Sequence, residues 1–200
     1  DLNDEEFTDL LISKGIFLEE NSLEENQKKI NWRENLTKKD QELIIEQCRI
    51  QNATSLEQLQ GFTDAYSIAK KIATSEEHLK LLENPENVSD LILNLAKTIE
   101  KDNDKGVRIV PVTFDDGTSA LNHREIPRAL SFFSESYADF IKNPEEDEMF
   151  GADVLYKEFE QIHPFEDGNG RIGDLLWKTA VCRRDGGWPE KLPPDIFKKG

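Results

Sequence analysis

The stretch His163-Pro164-Phe165-Glu166-Asp167-Gly168-Asn169-Gly170-Arg171 gathers four kinds of chemistry into nine residues. The His163 imidazole has an ordinary pKa near neutrality and can accept a proton at working pH. Asp167 offers the hard oxygen that Mg²⁺ prefers. Gly168 and Gly170 lack a Cβ, so the backbone there can turn sharply and come close to a ligand. Arg171 carries a permanent charge on a planar fork that matches phosphate oxygens. The flanking sequence is periodic, so the stretch is expected to be a loop between two helices. The unpaired N–H groups at the start of the second helix would attract an anion. Base, metal ligand, anion cradle and phosphate clamp together describe a site for phosphoryl or nucleotidyl transfer.

The elements that must hold this loop can be read from apolar spacing. Residues 151–162 are expected to be helical, with Val154, Leu155, Phe159 and Ile162 inward. Ile172, Leu175, Leu176, Thr179 and Val181 continue as a second helix, ended by Gly186-Gly187. Residues 126–141 form a third, stopped at Asn143-Pro144. Upstream, residues 4–13 carry a helical stripe and 21–33 a short helix or ordered loop. Thr37 caps a helix to about Ile50. Ser55 with Gln58 resembles a capping box opening a further helix through Ile72, with Gly61 weakening its first turn. Another helix starts near Ser75 and ends at Asn84-Pro85, and Ser89 caps a last one to Glu100. After Gly187 the prolines favour an extended tail.

Residues 107–119 differ in kind. Val107, Ile109, Val110 and Val112 are β-branched, and Asp115-Asp116-Gly117-Thr118 is a turn signal, so a short β-hairpin is expected. Pro111 cannot donate to a ladder, which leaves an unpaired edge that an extended peptide of a partner could join. The plainer alternative is a surface hairpin without a role.

Composition narrows the setting. A net charge of −16 over 200 residues argues against a general nucleic-acid binder or an anionic-membrane binder, both of which need a basic surface. A nucleotide is still compatible if positive charge is local to a pocket. No apolar run approaches the ~20 residues that span a bilayer. Cys48 and Cys182 are the only cysteines and lie outside metal-ligand spacing, so no disulfide framework is indicated. With no signal-peptide pattern, a cytoplasmic setting, or delivery into a host cytoplasm, is expected.

The motif resembles the HPFx(D/E)GNGR signature of the Fic (Fic/Doc) domain, matched tightly over 163–171 and more loosely over 56–184. The resemblance implies a mainly α fold, a Fic-like helical bundle with a short β-hairpin flap. Residues 1–54 would be a helical extension and 55–200 the Fic-like domain. It implies transfer of AMP from ATP, with Mg²⁺, onto a Ser, Thr or Tyr hydroxyl of a target protein. His163 would be the general base and Asp167 the metal ligand. Asn169 with the Gly168 and Gly170 amides would cradle an anion, and Arg171 would hold a phosphate. Pro164 and Phe165 would shape the loop, with Phe165 buried beneath it. The flap, through Val107, Ile109, Val110 and Val112, would align the target. Other members of the family transfer other phosphate-containing groups.

One position departs from the pattern. The family signature continues with a second arginine where this chain has Asp174. That carboxylate could pair with Arg171, serve as a second metal ligand, or mark a donor with fewer phosphates than ATP. It could equally mark a degenerate nucleotide- or protein-binding module, or an enzyme that removes a previously attached group. The family's inhibitory pattern has its nearest string at residues 21–26 with Asn21 in first place, and Glu25 is not assigned an inhibitory role. His78 and His123 are read as structural, Glu125 and Glu166 as solvated, and Trp177 and Trp188 as core or rim. Arg183-Arg184 complement the far end of their helix.

Overall fold

Packing in the computed structural model, which describes residues 18–144 and 151–196, is mainly α-helical. The helix expected over 4–13 and the acidic run at 145–148 lie outside the described residues. The helices are α1 (Leu18–Gln27), α2 (Lys38–Ile50), α3 (Leu56–Ala73), α4 (Glu76–Leu81), α5 (Pro85–Ile99), α6 (Ile126–Lys142), α7 (Ala152–Ile162) and α8 (Asn169–Asp185). Single 3-10 turns stand at Lys101–Lys105 and His123–Glu125. None of the described helices is long and apolar enough to cross a membrane.

Local chemistry explains the helix starts. Thr37 and Asp40 exchange hydrogen bonds, as do Ser55 and Gln58, so two orphan donors are satisfied at each start. The Asn84-Pro85 pair, expected to end a helix, opens α5 instead. The Asn84 side chain accepts from the Glu86 N–H, and Pro85 occupies the first turn, where a missing N–H does no harm. Ser89 therefore lies inside α5 and shares a 2.8 Å hydrogen bond with Ser134. Gly61 does not interrupt α3. A Cβ there would lie 2.6 Å from the Thr98 carbonyl oxygen and 2.9 Å from that of Ile99, so glycine lets α3 and α5 touch.

The expected hairpin is not formed as two strands. The segment after Gly106 closes through one antiparallel bridge, Thr113 with Ser119, and the Phe114 N–H donates to the Thr118 carbonyl at 2.7 Å. Pairing does not extend, because Pro111 has no N–H and the Arg108 N–H donates to Pro164 of the motif loop at 2.8 Å. Val107 packs partly buried against the core and Val112 is half-buried, while Ile109 and Val110 are exposed.

Helix α8 is the centre. Every residue from Asn169 to Cys182 is buried, with α3, α7 and α5 packed around it and Phe133, Tyr137, Phe159 and Phe165 in the same core. A helix buried on all sides must find internal partners for each polar group. Asp174 pairs with Lys178 one turn on and accepts from Gln47 of α2 at 3.2 Å, all three being buried. Lys178 also lies 5.7 Å from the Tyr66 ring centre. Breaking such a pair leaves a buried charge alone. Asp174→Asn is expected to lower stability by about 3–5 kcal/mol, measured as a drop in urea midpoint, and adding Lys178→Met should recover much of the loss.

Candidate functional site

The C-terminal end of α7 delivers His163 into the site. Its backbone is left-handed, φ 47° and ψ 62°, a region that a non-glycine residue occupies only when its surroundings hold it there. Arg108 is that surrounding. Its side chain is 1% exposed, and its guanidinium donates to the carbonyls of His163 (2.6 Å), Ile162 (3.2 Å), Leu121 (2.5 Å) and Val110 (2.8 Å). Two of these carbonyls are the orphan, negative end of α7. Arg108 meets no carboxylate among the described residues; its charge is answered by carbonyl dipoles. The His163 ring is half-buried, edge-on to Phe114 at 5.2 Å, with Nδ1 buried and without a partner. Burial lowers its pKa, Arg108 lowers it further, and Asp167 pulls weakly the other way.

The loop is closed from inside. Phe165 is fully buried and Pro164 is buried beside it. The Asn169 side chain, 2% exposed, accepts from the Phe165 N–H at 2.9 Å and donates to the Phe165 carbonyl at 2.8 Å. Asn169 was expected on an anion; its amide is instead taken up by the loop. Gly168 has φ 84°, and a Cβ there would lie 3.0 Å from Ile99 and 3.3 Å from Glu100. Its N–H donates to the Asp167 side chain at 2.7 Å, which removes it from the expected cradle. At Gly170 a Cβ would strike the Gln51 side chain at 2.4 Å, so the end of α2 reaches the loop. What remains for an anion is the first turn of α8, whose amides lack intrahelical partners.

Arg171 is 1% exposed. Its Nη2 donates to Glu100 at 2.7 Å and lies 3.4 Å from Asp167, while Nε and Nη1 are buried without partners. Glu100 also accepts from Gln58 at 2.9 Å. Two unpaired donors on a buried guanidinium are costly. Asn103 donates to the Asp167 carbonyl at 2.9 Å and fixes the backbone there. The Asp167 side chain is 66% exposed. No group of three or more His, Cys, Asp or Glu that could hold a metal occurs among the described residues. Asp167 is the exposed carboxylate of the loop and would be the residue to hold a Mg²⁺ ion there.

Asp174 stands apart from these groups. Instead of pairing with Arg171 it is held by Lys178 and Gln47, with burial pushing its pKa up against them. Glu25 is exposed on α1. The structure therefore brings together His163, Pro164, Phe165, Asp167, Gly168, Asn169, Gly170 and Arg171, and seats residues 107–121 on the His163 end. Sequence reasoning missed Arg108, Glu100, Asn103 and Gln51. Arg108 did carry a signal, as the lone cation in a β-branched run, whereas Glu100 sits at a helix end where a carboxylate carries none.

Comparison with known proteins agrees with this geometry. The family model described as the Fic/DOC family matches residues 62–180. Among curated proteins no match is found. A solved structure, of a Fic domain containing signaling protein from Bacteroides thetaiotaomicron VPI-5482, superposes with a TM-score of 0.52 at 21% identity. The alignment covers 82% of this chain and 60% of that one, so the likeness concerns the fold. With the family model spanning more than half of its residues and the motif loop held as described, the chain belongs to the Fic/DOC family.

Proposed function

We propose that this protein transfers a nucleotidyl group, AMP from ATP, onto a Ser, Thr or Tyr hydroxyl of another protein. The observation that carries the proposal is Arg171. A buried guanidinium with two donors unpaired stands at the start of α8 in the same loop as His163. His163 takes the proton of the target hydroxyl, whose oxygen forms a new bond to the α-phosphorus. The bond from that phosphorus to the bridging oxygen breaks and pyrophosphate leaves. Arg171 and the first-turn amides of α8 stabilise the phosphate charge as it redistributes. Asp167 would hold Mg²⁺, which when bound supplies further neutralisation of the phosphates. Arg108 keeps the imidazole in place and favours its neutral, proton-accepting form.

A second reading, nucleotide binding without turnover, draws on Asp174, which leaves Arg171 without the family's second arginine. Incubation with candidate target proteins and α-labelled ATP decides between them. Transfer should fall by ~10²–10⁴-fold in His163→Ala, and the absence of His163-dependent label while ATP still binds would favour the second reading.

Two further outcomes follow from the charges. His163 works unprotonated, so the rate should rise with pH through a pKa below the ordinary ~6.5 and level off by neutrality. Arg108→Met removes a lowering influence and should move that rise to higher pH, measured as a pH–rate profile and as the imidazole titration by NMR. Glu100→Gln frees Arg171 of its closest anionic partner and should tighten ATP binding, measured by calorimetry.

A further inference from the structure

Beside the motif loop runs a groove of about 540 Å³, lined by Leu121, Ala129, Phe132, Glu158 and Ile162 among others. Its lining ends at Ile162, one residue before His163. Ile162 precedes the histidine, the Leu121 N–H donates to the Gln161 carbonyl at 3.2 Å, and the Arg108 guanidinium bridges the Leu121 and His163 carbonyls. One wall is apolar, through Leu121, Ala129, Phe132 and Ile162, while Ser119 and Gln161 line the rest; Phe132 is 52% exposed. Into this lining projects one carboxylate. Glu158 is half-buried, has no ion pair or hydrogen bond among the described residues, and burial raises its pKa. The nearby cation, Arg128, rests 5.6 Å from the Phe132 ring centre and does not pair with Glu158.

A groove with one apolar wall and a lone carboxylate fits a side chain that is aliphatic along its stem and cationic at its tip. The chain's charge of −16 favours a basic partner overall. We propose that the groove is a specificity pocket for a lysine or arginine of the target protein, close in sequence to the modified hydroxyl. The stem packs on Leu121, Phe132 and Ile162, and the head pairs with Glu158. This rests on the transferase reading for its purpose, whereas the binding itself can be measured separately.

The test uses the full chain and synthetic peptides with a single threonine, carrying Arg, Lys, Ala or Glu scanned through the flanking positions. Affinities are read from NMR shift titrations, and label from α-labelled ATP is followed in parallel. At one register the Arg and Lys peptides should bind about tenfold more tightly than the Ala peptide, equivalent to ~1.4 kcal/mol, and the Glu peptide more weakly still. Glu158→Arg should invert that order. Equal affinity across the wild-type series, no measurable binding by any peptide, or an order unchanged in Glu158→Arg would overturn the pocket. If the charge order holds and no peptide is labelled, the pocket stands and the transferase reading fails.

Discussion

The structure depends on a helix buried on every side. Helix α8 begins in the motif loop and runs through the middle of the bundle, so none of its polar groups from Asn169 to Cys182 can fall back on water. Each one is answered within the chain, or is left conspicuously unanswered. Asp174 and Lys178 answer each other, Gln47 completes them from α2, and Asn169 answers the backbone of Phe165. Arg171 is the exception, with two of its donors left over. In a helix so fully satisfied elsewhere, the unpaired donors stand out at its N-terminal end.

The same constraint explains how negative charge is arranged around that end. Glu100 and Asp167 both approach Nη2 of Arg171, and Asp167 also caps the Gly168 amide. The protein's own carboxylates stand in for the negative charge that a phosphate would bring, which keeps a buried cation tolerable. The Gly168 amide and the Asn169 side chain are thus engaged within the loop itself.

Much of this was legible in the residues. The helices over 126–142, 152–162 and 169–185 follow from apolar spacing and from terminators such as Asn143-Pro144 and Gly186. The capping pairs Thr37 with Asp40 and Ser55 with Gln58 acted as local signals should. Asn84-Pro85 misled because the same dipeptide ends one helix and begins the next. The hairpin misled because β-branched residues report a preference for extended backbone without saying which neighbour it will pair with; here Arg108 turned to Pro164. Asp174 could not be placed from sequence, since its partners lie on another helix and on the next turn. Glu100 and Gln51 reach the loop only through the packing of α5 and α2, contacts that no local pattern encodes.

Arg108 grips main-chain oxygens and touches no partner side chain through its hydrogen bonds. The side-chain identity of the exposed Val110 is thus uncoupled from the posture of the histidine, whereas Leu121 and Ile162 also pack on the core. Such a main-chain grip lets residue 110 vary while the backbone of His163 keeps its left-handed form.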